Sequence, residues 1–200
     1  MEDLLVATTN QGKFVEISAF FKGLPFRLQS LRDLSGAPSV MEDGETFLEN
    51  ARKKAHALAR WSGRRTLADD SGIVVEVLGG RPGVHSARYA GETATDEDNR
   101  RKLLAELEGV PEGKRGAAFV CVLVLAHPDG RELVAEGRVE GRITTVPRGS
   151  GGFGYDPLFF VPSLGKTTAE LGLQEKNGIS HRGRALRLLK DRLQSASFKK

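Results

Sequence analysis

Between Thr66 and Val75 an apolar approach runs into two adjacent carboxylates, Asp69 and Asp70, followed by Ser71, Gly72 and a second β-branched run. Ionised side chains set among apolar and β-branched residues are costly to bury unless something compensates them. A divalent metal, a phosphate-bearing ligand, or both would do so, and the pair therefore points to an active site beside strand-like sequence. In extended chain neighbouring side chains face opposite sides. The two acids should differ in task, one turned inward to structure and one toward the site.

The chain around this run alternates between strand and helix patterns. Leu4 to Ala7 reads as a short buried strand, ended by Thr8-Thr9-Asn10, which can cap a helix. Phe14, Ile17 and Phe21 then recur at helical spacing, until Gly23 and Pro25 stop the helix. Phe26 to Leu28 is a second strand candidate. The loop from Leu34 to Gly44 ends acidic at Glu42-Asp43, and a helix from about Glu45 to Trp61 buries Phe47, Ala51, Ala55 and Leu58. Thr66 to Ala68 and Ile73 to Val77 read as strands, broken by the turn at Gly79 to Gly83. Thr95 and Asp96 cap a helix carrying Leu103, Leu104 and Leu107. Ala117 to Ala126 and Glu132 to Val139 form a hairpin candidate, and a last long helix begins near Ser180-His181-Arg182. The interleaving predicts an α/β fold with a mixed sheet.

At 200 residues, 39% hydrophobic and 28% charged, the chain has ordinary globular composition and needs no disulfide to build a core. Its single cysteine, Cys121, lies in an apolar run and reads as a small core residue, which suits a reducing compartment. The N-terminal residues fit neither a signal nor a transit peptide, and no apolar run approaches the ~18 residues of a membrane span. Cytoplasmic location without membrane contact is the expectation. The net charge of +4 fits small phosphorylated ligands as well as nucleic acid. No zinc-finger spacing or RNA-binding signature accompanies it.

Four constellations could carry chemistry. Thr8-Thr9-Asn10-Gln11-Gly12-Lys13 joins a strand to a helix N-terminus, where free N–H groups favour an anion and Lys13 adds a full charge. Its spacing is not that of a Walker A loop, and alone it also reads as a capped helix with a surface lysine. Around the acid pair, Glu42 could supply a second oxygen ligand, and Mg²⁺ suits one or two carboxylates with waters and substrate phosphates. Glu42 by itself is equally a solvated loop charge. In Gly151-Gly152-Phe153-Gly154-Tyr155-Asp156-Pro157, glycines permit close backbone approach, Phe153 offers a flat face for a base, and Asp156 can accept from a ring N–H. Lys176 and Ser180-His181-Arg182-Gly183 bring three potential cations to a helix start, where something anionic or electron-rich should compensate them.

Taken in order, these segments resemble the inosine triphosphate pyrophosphatase family. The resemblance runs from Leu5 to about Leu189. It is carried by Thr8-x-Asn10-x-x-Lys13, Thr46-Phe47-x-Glu49-Asn50-Ala51, Ala68-Asp69-Asp70-Ser71-Gly72 and Pro82-Gly83-x-x-Ser86-Ala87-Arg88-Tyr89-Ala90-Gly91. The glycine loop and the Ser180 to Gly183 segment complete the set. Thr9 stands where a glycine is common, and His85 where a tyrosine is common.

The resemblance implies a single domain over residues 1–200, a long mixed sheet flanked by helices in two lobes with a central substrate cleft, and a homodimer. It implies Mg²⁺-dependent hydrolysis of the purine nucleoside triphosphates ITP, dITP and XTP to monophosphate and pyrophosphate, which clears deaminated purines from the nucleotide pool. Carried over by position, Thr8, Thr9, Asn10, Gln11, Gly12 and Lys13 should hold the triphosphate. Asp70 should be the general base and, with Glu42, a metal ligand, which leaves Asp69 to structure. Ser71 should touch the substrate. Phe153, with Gly154 and Tyr155 in the same loop, should stack on the base, and Asp156, Lys176, His181 and Arg182 should surround its edge. A donor such as Arg182 rewards the 6-oxo group of inosine or xanthine and mispairs with the 6-amino group of adenine, a difference that can reach ~10⁴-fold.

Two other readings compete. One keeps the chemistry and changes the substrate to ordinary or otherwise modified nucleotides. The other is a non-catalytic nucleotide or nucleic-acid binding module, supported only by the basic C-terminal helix.

Overall fold

The computed structural model describes residues 1–195. Seven strands form one sheet in the order β2-β1-β3-β4-β5-β6-β7. They are β1 (Glu2–Ala7), β2 (Phe26–Ser30), β3 (Arg65–Val75), β4 (Gly116–Ala126), β5 (Glu132–Ile143), β6 (Phe159–Val161) and β7 (Lys166–Thr167). Among the described residues five α-helices accompany them: α1 (Gln11–Phe21), α2 (Phe47–Ser62), α3 (Asp96–Glu106), α4 (Leu173–Ile179) and α5 (His181–Ser195). β1 pairs in parallel with β2 and β3, whereas β6 runs antiparallel to β5 and β7. The sheet is mixed and the class α/β, as the sequence predicts. The described residues divide into two compact units, 1–70 with 121–137 and 182–195, and 71–120 with 138–181.

In the first unit, register explains the packing. Leu4 of β1 lies opposite Leu28 and Arg65, and Ala7 opposite Ala68. Alternate residues of each strand enter different clusters. Leu4, Val6, Leu67, Cys121 and Leu123 pack with Ile17 and Phe21 of α1 and with Leu186 and Leu189 of α5. Leu5, Ala7, Ala68, Val122 and Val124 pack with Ala51, Ala55 and Leu58 of α2. Both sheet faces are covered, which is why β4 reads as a continuous apolar run. Each fully buried Leu or Ile of these clusters contributes about 1.5–3 kcal/mol of transfer free energy. The period of two also sorts the acids: Asp69 continues the Leu67 face toward α1 and α5, and Asp70 continues the Ala68 face toward α2.

The second unit has its own core of Ile73, Val75, Leu103, Leu107, Phe119, Ile143, Leu158 and Phe159. Here the structure departs from the sequence expectations. β3 is one unbroken strand, not two, and Glu76 to Leu78 form a 3-10 turn closed by Gly79 at φ 65°. Asp-Asp-Ser-Gly is turn-prone by composition, but Gly72 sits against Ser86, where a Cβ would lie 2.3 Å from Oγ. Ser86 Oγ in turn accepts the Ile73 N–H at 2.9 Å and holds the chain extended. β5 continues past Val139 to Ile143 because Gly141 admits the Phe160 carbonyl. α4, β6 and β7 are too short to show a periodicity.

Candidate active site

The first unit holds the acid pair. Asp69 is buried, with Oδ1 2.6 Å from Lys13 Nζ and Oδ2 accepting from Arg182 Nε at 2.7 Å and from the Cys121 thiol at 3.2 Å. Arg182, 1% exposed, also donates through Nη1 to Glu16 of α1. Burial pushes Asp69 toward protonation, but the charges of Arg182 and Lys13 outweigh it and hold the carboxyl well below its usual range. Burial likewise disfavours the Arg182 cation, and Asp69 and Glu16 more than restore it. The Cys121 thiol is pushed well above its ordinary value by burial and then by Asp69. This is a desolvated network in which each charge depends on its partners.

Asp70 occupies a different environment. It is 6% exposed, and its buried Oδ2 has no hydrogen-bond partner. Burial raises its pKa to about 6; Lys13 and Lys54 pull down, and Glu42 and Asp69 push up. Glu42 pairs with Lys54 of α2 at 3.0 Å. The loop bearing Glu42 is fixed by buried Asn50, whose Oδ1 accepts the Gly44 N–H at 2.7 Å and whose Nδ2 donates to the Gly44 carbonyl. Thr46 and Glu49 form the capping box that starts α2 there.

The phosphate-binding expectation falls on the β1–α1 turn. Asn10 caps α1 by accepting the Lys13 N–H at 3.0 Å, and Thr8 Oγ1 accepts the Asn10 N–H at 3.1 Å. Thr9, Asn10 and Gln11 are exposed, Gly12 and Lys13 half-buried. Arg32 Nη2 donates to the Thr9 carbonyl at 2.6 Å, which orders the turn.

A divalent cation fits this unit on one observation: a buried carboxylate oxygen of Asp70 without a partner, beside the second carboxylate of Glu42. Among the described residues no group of three or more His, Cys, Asp or Glu could hold a metal. Two oxygen ligands completed by water and phosphate suit Mg²⁺.

The second unit holds the glycine loop. Asp156, 2% exposed, accepts the Phe153 N–H at 2.8 Å on Oδ2 and the Thr168 hydroxyl at 2.8 Å on Oδ1, and it pairs with Lys176. Lys176 Nζ lies 4.8 Å from the centre of the Phe153 ring. Tyr155 is buried and donates its hydroxyl to the Ser86 carbonyl at 2.9 Å, and burial raises its pKa. The His181 ring stacks on Phe119 at 4.7 Å. Ser71 is half-buried in β3. Gly154 gives its N–H to Asp96 and its carbonyl to Arg100 of α3.

The structure thus brings Lys13, Asp69 and Arg182 together, and separately Phe153, Asp156 and Lys176. Arg182, expected at the base edge, lies between Asp69 and Glu16. Sequence reasoning gave no role to Glu16 and Arg100, placed Asn50 only within a motif, and read Asp96 only as a helix cap. Glu16 stands one helical turn from Lys13 on α1, a spacing that could have flagged it; the others act on backbone groups, for which sequence carries no signal.

An α/β chain with a buried acid pair against a lysine-bearing helix start, and an aromatic residue in a glycine loop, has the parts of a phosphate-ester or anhydride enzyme. Residues 4–192 match the Ham1 family, and the chain belongs to it. It is 57% identical over 193 residues to a dITP/XTP pyrophosphatase of Geobacter sulfurreducens, covering 96% of this chain and 97% of the relative. The dITP/XTP pyrophosphatase of Shigella flexneri is 50% identical over 197 residues, covering 98% of this chain and 100% of that one. A solved HAM1 protein from Coxiella burnetii superposes with a TM-score of 0.88 at 42% identity, covering 98% and 100% of the two chains. The resemblance read from the motifs is borne out.

Proposed function

We propose that this chain hydrolyses the α–β phosphoanhydride bond of ITP, dITP and XTP, releasing the nucleoside monophosphate and pyrophosphate. The observation that carries the reading is Asp70, a buried carboxylate with a partnerless oxygen, set beside Lys13, Lys54 and Glu42. A carboxylate with an open oxygen can take a proton from an attacking water. The names of the Geobacter and Shigella relatives supply the substrate class.

In this reading Asp70 accepts the proton of the water that attacks the α-phosphorus. Lys13 and the N–H groups at the start of α1 stabilise negative charge on the triphosphate, and positioning supplies much of the remaining acceleration. Asp70 and Glu42 would hold Mg²⁺, which would neutralise phosphate charge. Thr8 to Gly12 and Ser71 contact the substrate. Phe153 stacks on the purine, and Lys176, fixed by Asp156, presents an ammonium donor that a 6-oxo group satisfies and a 6-amino group does not. Gly154 and Tyr155 shape that loop, and His181 and Arg182 are proposed at the purine edge on the motif alone.

We take the substrate to be the free nucleotide and not nucleic acid, following the substrates named for the Geobacter and Shigella relatives. Among the described residues no helix is long and apolar enough to cross a membrane, and we place the enzyme in the cytoplasm as its substrate class suggests. We also infer a homodimer, as the family resemblance implies. Pyrophosphate release from ITP, dITP, XTP, dATP, dGTP and dTTP, with and without Mg²⁺, tests the whole reading. The expected result is Mg²⁺-dependent turnover confined to the first three. Comparable kcat/KM for dGTP or dTTP overturns the deaminated-purine role, and no turnover with salt-sensitive DNA binding overturns the enzyme.

A further inference from the structure

A run of glycines is poor material for holding an aromatic ring still. Phe153 stands between Gly152 and Gly154, at φ 72° and 59°, and glycine loses more conformational freedom on ordering than any other residue. On one side Asp156 fixes the Phe153 N–H. On the other, the Gly154 N–H donates to Asp96 Oδ2 at 2.7 Å and the Gly154 carbonyl accepts from Arg100 Nη1 at 2.7 Å. Both contacts carry a charge on the side-chain partner, which roughly doubles their strength over neutral ones. Asp96 and Arg100 are four residues apart on α3 and so share a face.

The helix that carries them is itself anchored. Leu103 is buried in the core of the unit, and Asn99, 2% exposed, accepts the Ala90 N–H and donates to the Ala87 carbonyl. Between α3 and the loop lies a cavity of about 590 Å³, lined by Asp96, Arg100, Gly151, Phe153 and Pro157 among others. The Asp96 and Arg100 contacts to Gly154 tie the loop to α3 beside this cavity.

We propose that Asp96 and Arg100 are positioning residues for base recognition, fixing Gly154 so that Phe153 is held ready to stack on the purine. This rests on the function proposed above. Without the bracket the loop samples other arrangements, and apparent affinity falls by the fraction of time it is competent. Chemistry at Asp70 is untouched, so the effect belongs in KM.

The experiment compares wild type with Arg100→Ala, Arg100→Lys, Asp96→Ala and, as control, Arg101→Ala, whose side chain pairs with Glu97 and Asp98. Arg100→Ala and Asp96→Ala should raise the KM for dITP about fivefold, with kcat within about twofold. Arg100→Lys keeps a donor and should recover most of the loss, and Arg101→Ala should match wild type. Hydrogen–deuterium exchange of a peptide spanning residues 149–156 should accelerate in the two alanine variants. An unchanged KM in both, in protein of wild-type melting behaviour, overturns the proposal, as does a loss shared equally by Arg101→Ala. If wild type releases no pyrophosphate, the function fails on its own, and the exchange measurement alone decides whether the bracket orders the loop.

Discussion

Lys13 Nζ and Asp69 Oδ1 stand 2.6 Å apart, across 56 positions of sequence, and Asp69 is held on its other oxygen by Arg182. A cation proposed to hold phosphate is thereby aimed by a carboxylate that itself is given no substrate contact. Removing that carboxylate strands a buried guanidinium and frees the lysine. Asp69→Ala should cost about 3–5 kcal/mol in urea unfolding, as breaking buried charge pairs does. A loss below about 1 kcal/mol would show that the network relaxes without it.

Asp70 behaves oppositely. Its folded pKa of about 6 exceeds the ordinary 3.8, so the folded state binds the proton more tightly than the unfolded one. Stability therefore falls as pH rises from about 4 to 6, and the ionised group costs about 3 kcal/mol above that window. Asp70→Asn, studied in chelator, should melt several degrees above wild type at pH 7 and close to it at pH 4. The same variant should lose pyrophosphate release from dITP by about a hundredfold or more. Near-normal turnover would remove Asp70 as the base.

Glu42 is half-exposed and tied to Lys54, so Glu42→Gln should leave melting nearly unchanged. The Mg²⁺ concentration giving half-maximal rate should rise about tenfold or more. Titration of activity against Mg²⁺ reads this directly. An unshifted curve would leave Asp70 as the sole carboxylate ligand.

The glycine loop offers a paired test. An alanine Cβ at Gly152 would stand 2.0 Å from Asp156 Oδ2, at φ 72°, whereas one at Gly154 meets nothing within 4 Å at φ 59°. Gly152→Ala should lose about 1–3 kcal/mol from the strained backbone alone, and more as Asp156 is displaced, with a higher KM. Gly154→Ala should show only the smaller backbone penalty of about 1–2 kcal/mol. Thermal melts and dITP kinetics on the two proteins separate packing from backbone preference.

Much of this fold is legible in local pattern. Leu4 to Ala7, the helix capped at Asn10 and the last helix from His181 all form where spacing and caps place them, because those signals lie within a few residues. β3 is not read correctly, since what holds Asp69 and Gly72 extended is Arg182 and Ser86, far away in sequence. The site follows the same division. Lys13, Asp70 and Phe153 announce themselves by residue type, while Glu16, Asn50, Asp96 and Arg100 act as partners of groups that any sequence contains. Arg182 shows the limit most clearly: its type marks it as a donor, and only the fold shows that it donates to Asp69 and Glu16.

Cys121, the chain's one cysteine, sits beneath this network with its thiol donating to Asp69. Buried and disfavoured as a thiolate, it will react with an alkylating reagent only when the surrounding strands part. The rate of its modification is thus a clock on the opening of the acid network, and comparing that clock with and without nucleotide reports, in a single unmodified protein, whether a bound nucleotide slows that opening.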